Sequence, residues 1–193
     1  LSLIGRPQCT ASTDIERSTF ARLDVRVKRR ARSICPFRIP AGSSSLNSVL
    51  TGRCHCGNIA LTLTWDGEAR SIPARACGCT FCVKHGGVWT SNPRARLSVE
   101  IENPALASHY AFGTGTATFH ICARCGAVPF VTSEIENRLY AVVNVNVLEN
   151  LEPSSLVRSA ADFEGEDVTS RLARRTRNWI ADVRIVEGRR KAS

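Results

Sequence analysis

The cysteines constrain this chain more than any other feature, because seven of its nine fall into three tight groups. Cys54-His55-Cys56 is a CxC, Cys77-Gly78-Cys79-Thr80-Phe81-Cys82 a CxCxxC, and Cys122-Ala123-Arg124-Cys125 a CxxC followed by Gly126. Disulfides explain this poorly: seven is odd, and close sequence neighbours are badly placed for the ~5.5–6 Å Cα separation of a relaxed bridge. Burial as small apolar residues gives no reason for the spacing. Metal binding does. On a tight turn, thiolates at i and i+2 or i+3 aim both sulfurs at one ion, and soft sulfur selects zinc, with iron–sulfur as the competitor. Seven then divides into four plus three: a structural zinc is closed by four protein ligands, whereas a catalytic one keeps three and an open position. The two-cysteine groups Cys54/Cys56 and Cys122/Cys125 can converge on a closed site, and Cys77, Cys79 and Cys82 share one short loop. Spacing alone does not fix that pairing.

Around the cysteines the sequence reads as strands. Ile59, Leu61, Leu63 and Trp65 alternate with Ala60, Thr62 and Thr64 before an Asp66-Gly67 turn. Leu97, Val99 and Ile101 alternate with Ser98, Glu100 and Glu102 before Asn103-Pro104. Ala117, Phe119 and Ile121 share a face, as do Leu139, Ala141, Val143, Val145 and Val147, and Trp179, Ala181, Val183 and Ile185. The stretch 167–178 fits a short helix or an irregular loop. The expected fold is mainly β and antiparallel, with little helix.

Charge separates a tail from this region. Residues 1–48 carry nine basic and three acidic side chains, a net of +6, whereas 49–150 carry eight and seven and 151–193 carry nine and seven. A nucleic-acid binder concentrates positive charge on the folded unit that makes the contacts, so the near-neutral centre argues against that class. Residues 1–48, with Arg29-Arg30, Arg32 and the run Ser43-Ser44-Ser45, are expected to be a basic, disordered extension. An organellar transit peptide is the competing reading of that composition. Residues 49–150 are expected to form the metal-binding domain and 151–193 to complete it with a strand and loops. No apolar stretch approaches the ~18–20 residues that span a bilayer. The expected location is cytoplasmic, with no membrane partner.

The cysteine groups in order, together with Thr51-Gly52-Arg53 before the first, Gly57 after it, Gly86, Tyr110-Ala111-Phe112-Gly113 and Phe119, resemble the glutathione-dependent formaldehyde-activating enzyme family, which also contains centromere protein V. The likeness covers about residues 50–150, with a weaker echo at Phe163-Glu164-Gly165, and includes all seven cysteine positions. It implies a two-zinc, β-rich fold of the β-tent kind. It further implies that Cys54, Cys56, Cys122 and Cys125 hold a structural zinc and that Cys77, Cys79 and Cys82 hold a catalytic one. The implied activity is the condensation of glutathione with formaldehyde to S-(hydroxymethyl)glutathione, a carbon–sulfur lyase in formal class, or the same chemistry on a related thiol adduct. A thiol near pKa 8.5 is only a few per cent ionised at neutral pH, and the thiolate is the nucleophile, so an open zinc site suits this reaction. A non-catalytic, zinc-stabilised interaction module is the alternative that the centromere relative raises.

Other residues carry less. His85 could orient a substrate or occupy the fourth metal position, and Lys84 could meet a glutathione carboxylate, but a solvated histidine and a surface lysine are the ordinary reading. His55 lies between two expected ligands. His109 and His120 lie in strand patterns, and Trp65, Trp89 and Trp179 read as packing residues.

Overall fold

The structure is a computed structural model that describes residues 47–188; the expected tail, except for its last two residues, lies outside them together with Cys9 and Cys35. Strands form where side chains can alternate between a core and a wetter face. β1 (Ser48–Arg53), β2 (Ile59–Trp65), β3 (Ile72–Cys77), α1 (Thr80–His85), β4 (Val88–Thr90), β5 (Arg96–Ile101) and β6 (Ala107–Tyr110) make the first half. β7 (Thr118–Cys122), β8 (Phe130–Ile135), β9 (Arg138–Asn144), β10 (Leu156–Ala161), α2 (Val168–Asn178) and β11 (Asp182–Glu187) make the second. The chain is mainly β, as the alternation predicts.

Two sheets divide these strands, one in the order β1-β2-β5-β11 and one in the order β10-β3-β4-β9-β8-β7-β6. On β2, Ile59, Leu61, Leu63 and Trp65 are buried, and on β5 so are Leu97, Val99 and Ile101. These side chains join Leu50, Ile72, Phe130, Ala141, Val143 and Ile180 in one core cluster that draws on both sheets. A second cluster, of Cys82, Trp89, Val128, Val131, Tyr140, Val142 and Trp179, lies toward α1 and α2.

The mainly antiparallel fold is as expected, with two parallel pairings added, and two expectations need correction. Antiparallel pairing dominates, but β10 runs parallel to β3 and β11 parallel to β5. Both late strands return to sheet edges over long connections, as parallel pairing requires. The alternating run from Leu139 does not stay extended to Val147: Asn144 Oδ1 accepts from Asn146 N at 3.2 Å and caps a 3-10 turn over Val145–Val147. β9 is also buried on both faces from Tyr140 to Asn144, because Ala141 and Val143 pack into the first cluster and Tyr140 and Val142 into the second. Finally, Trp179 ends a helix rather than starting a strand. The open stretch becomes α2, capped where Asp167 Oδ1 accepts from Ser170 N at 2.9 Å.

No helix among the described residues is long and apolar enough to cross a membrane.

Candidate metal centres and the adjoining cavity

Two turns from different sheets build the first cysteine cluster. Cys54 and Cys56 sit on the turn between β1 and β2, closed by Gly57 N donating to Cys54 O at 2.9 Å. Cys122 ends β7, and Gly126 N donates to its carbonyl at 2.8 Å across the turn that carries Cys125. The four sulfurs lie within 4.8 Å of one another. Cys56 Sγ is 3.4 Å from Cys122 Sγ and 3.7 Å from Cys54 Sγ. Zinc–sulfur bonds of about 2.3 Å at tetrahedral angles set sulfurs about 3.8 Å apart, whereas a disulfide sets them at about 2.05 Å. The donor set fits a metal and not a bridge, and all seven clustered thiols are free. Cys54 and Cys122 are fully buried, and Ile59 N donates to Cys54 Sγ at 3.3 Å.

The second cluster comes from one segment. The expected short loop is instead a strand end, a helix cap and a helical turn. Cys77 is the last residue of β3, Cys79 caps α1 with its Sγ accepting from Cys82 N at 3.4 Å, and Cys82 lies inside α1. Their sulfurs also lie within 4.8 Å of one another. Trp89 Nε1–H donates to Cys82 Sγ at 3.3 Å. Gly87 packs so tightly that a Cβ there would lie 2.9 Å from Cys82 Cβ and 3.0 Å from its Sγ. Donors held on ligand sulfurs are the usual outer shell of a thiolate metal site.

Protons are shared unevenly within each cluster. The Cys82 hydrogen bond, opposed by burial, brings Cys77 down to about 5, while Cys82 is raised by that same bond and by burial. Burial pushes Cys54 up to about 12 and raises Cys122. Burial also opposes ionisation of Cys125, but backbone donors at Ala127 and Cys56 outweigh it and hold that thiol near 6. A cation bound at either cluster displaces the protons held by its raised thiols.

What separates the clusters is access. Cys77, Cys79 and Cys82 line a cavity of about 550 Å³, and none of the other four does. That size lies in the ~300–1,000 Å³ range of small-molecule sites. Trp89, Phe112, Phe119 and Trp179 give the cavity apolar wall, and Arg75, Arg171, Arg174 and Arg175 give it charge. Phe112 and Phe119 are 5.3 Å apart between centroids, and Phe119 meets Trp89 edge-on at 6.0 Å. His85 and Lys84 lie outside this cavity. His85 stacks on Phe81 at 4.3 Å, beside a shallower hollow that Lys84 also lines. His55 is exposed. His120 is buried, with Nε2 2.8 Å from Thr132 Oγ1 and its ring stacked on Phe130. Trp65, Trp89 and Trp179 are all buried.

Sequence reasoning missed the four arginines and the role of Trp89. Three arginines sit at 171, 174 and 175, the i, i+3, i+4 spacing that gathers side chains on one helix face. That spacing was the available signal.

Fold and site together define a mainly β protein with two cysteine clusters able to hold metal, one closed and one open to a cavity. A model of the family described as glutathione-dependent formaldehyde-activating enzyme matches residues 49–164, and the chain belongs to that family. No curated protein sequence matches it. Among solved structures, a structural-genomics crystal structure of a Rhodobacter sphaeroides protein is 27% identical, covering 53% of this chain and 91% of its own, with a TM-score of 0.40.

Proposed function

We propose that this protein is a zinc-dependent carbon–sulfur lyase that joins glutathione, or a closely related thiol, to formaldehyde. The observation that carries the reading is the open three-sulfur cluster in the cavity wall, beside a closed four-sulfur cluster, in a chain of this family. Cys54, Cys56, Cys122 and Cys125 are the proposed structural zinc ligands, and Cys77, Cys79 and Cys82 the proposed catalytic ones. The proposed unit is the domain at 49–150 completed by 151–193; β10 pairing with β3, β11 pairing with β5 and α2 in the cavity wall support it. Free thiols in both clusters suit a reducing, cytoplasmic setting.

Zinc at the three-sulfur cluster would supply the positive charge that favours a bound thiol as its thiolate. Cys77, Cys79 and Cys82 would hold the ion by three sulfurs, which would leave one ligand position for the thiol. Trp89 holds Cys82 Sγ through its indole N–H, and Phe112, Phe119 and Trp179 limit water around the reacting atoms. In the reaction the thiol sulfur bonds to the formaldehyde carbon, the C=O π pair moves to oxygen, and the proton lost from sulfur ends on that oxygen. The product is S-(hydroxymethyl)glutathione, with atoms conserved.

The test is NMR exchange spectroscopy of glutathione with formaldehyde against a protein-free control. Zinc-loaded protein should accelerate the exchange, and Cys79→Ser should abolish the acceleration. If the wild type gives none, the lyase reading fails and a non-catalytic interaction module becomes the better account.

A further inference from the structure

The cavity that holds the three sulfurs is also unusually rich in guanidinium groups. Arg75 reaches it from β3, and Arg171, Arg174 and Arg175 reach it from α2, which lies beyond the family-matched residues 49–164. Their carboxylate partners are too few. Arg174 Nε and Nη2 both donate to Glu166 at 2.8 Å, and Arg171 Nε lies 3.7 Å from that same carboxylate. Arg175 and Arg75 form no ion pair among the described residues.

Arg175 is only 6% exposed. Its Nη1 donates to Thr116 O at 2.6 Å, Thr116 Oγ1 at 2.9 Å and Ser133 Oγ at 3.1 Å, and its buried Nε has no partner. Arg75 donates Nη2 to Ser91 Oγ at 2.6 Å, and Arg174 Cζ lies over the Phe163 ring, 3.7 Å from its centroid. Two exposed carboxylates also line the cavity, Asp162, near enough to Cys77 to act on its charge, and Glu164. Arg174 lies close enough to Arg75 for the two like charges to oppose each other. Like charges gathered in a partly desolvated wall oppose folding, and an anion between them relieves both repulsion and desolvation. A fork of N–H donors matches a carboxylate in particular; Arg174 already spends Nε and Nη2 on Glu166, so Arg75 and the Nη1 of Arg174 are the donors for an incoming one.

We propose that Arg75 and Arg174 form a carboxylate subsite, with Arg175 adding a fixed positive charge, so that the cavity selects thiols bearing a carboxylate away from the sulfur over neutral thiols. This rests on the reading of the three-sulfur cluster as the place of the thiol. It makes β3 and α2 together the specificity elements of the site.

Calorimetric titration of the zinc-loaded full chain tests it. The probes are S-methylglutathione against its diethyl ester, and 3-mercaptopropionate against 2-mercaptoethanol. In each pair the acid should bind at least about tenfold tighter, the size expected of a charge-assisted contact, and added salt should weaken the acid alone. Arg75→Gln should bring both ratios close to one, Arg75→Lys should restore part of them, and Arg174→Gln should reduce them independently. Equal binding within both pairs by the wild type, ratios that neither variant changes, or no binding of any probe would overturn the subsite. Discrimination through Arg75 without accelerated condensation would sink the reaction and leave the subsite standing. Acceleration with ratios untouched by both variants would do the reverse.

Discussion

Cys79 and Cys125 look interchangeable in the sequence, each the middle or end of a short cysteine motif, yet their surroundings give them different consequences. Cys79 caps α1 through its sulfur, and serine is among the best residues for that position. Cys79→Ser therefore keeps the helix start while leaving two sulfurs at the open cluster, too few to hold zinc firmly. Cys125 belongs to the cluster that joins turns of two sheets, and metal binding in such a site is coupled to folding. In thermal melts followed by circular dichroism, Cys79→Ser should unfold close to the wild-type temperature and retain one tight zinc. Cys125→Ser should aggregate or melt far lower. An inverted result, with Cys125→Ser folded and Cys79→Ser not, exchanges the roles of the two clusters.

At the scale of elements, β1 depends on a contact that no pattern announces. A Cβ on Gly52 would lie 2.3 Å from Val147 O in the 3-10 turn, against backbone rather than a movable side chain. Gly52→Ala should cost about 1–3 kcal/mol, read as a lower denaturation midpoint of the zinc-loaded protein. α2 depends on charge instead. Arg174, with Arg171 and Arg175 adding to it, holds the Glu166 carboxyl below the usual carboxylate range despite some opposing desolvation. A depressed folded pKa contributes stability that is fully present above the unfolded value of about 4.3 and is lost as pH falls through the folded one. Glu166→Gln should therefore be less stable than wild type at pH 7, and the two stabilities should converge on acidification; a constant gap down to pH 3 would refute the linkage. These elements also show what sequence can carry. β2 and β5 were legible because each buries one face, so polarity alternates along them. β4 is three residues long, and β3 mixes Pro73 and Arg75 into its run, so neither produces a period. α2 has few apolar residues; its cap and the Arg171 contact with Phe163 are local, but Arg175 meets Thr116 and Ser133 only once the sheet is in place. Each pair or triplet of cysteines was legible because its spacing is local, whereas the convergence of the two pairs and the arginine wall both need segments far apart in sequence to meet.

For the whole molecule, the two clusters differ in what they tie together. Cys54 and Cys56 lie on the β1–β2 turn of the four-stranded sheet, while Cys122 and Cys125 follow from β7 of the seven-stranded sheet. A zinc held by all four cross-links the two layers between positions almost seventy residues apart, and it leaves no open coordination position for a competing chelator. Cys77, Cys79 and Cys82 belong to one continuous segment whose folding is also supported by β3 pairing with β10 and β4, and their site opens on the cavity. Purified protein should accordingly contain about two zinc ions per chain, read by elemental analysis, with very different lability. A mild excess of chelator should strip one ion within minutes and leave the far-ultraviolet spectrum and the cooperative melt nearly unchanged. The second should come off only with denaturant, and its loss should abolish the cooperative transition, since the sheets then lack their cross-link. Two ions leaving together with unfolding would mean that both clusters are structural. A single tight metal, or a coloured iron–sulfur chromophore, would overturn the four-plus-three division itself.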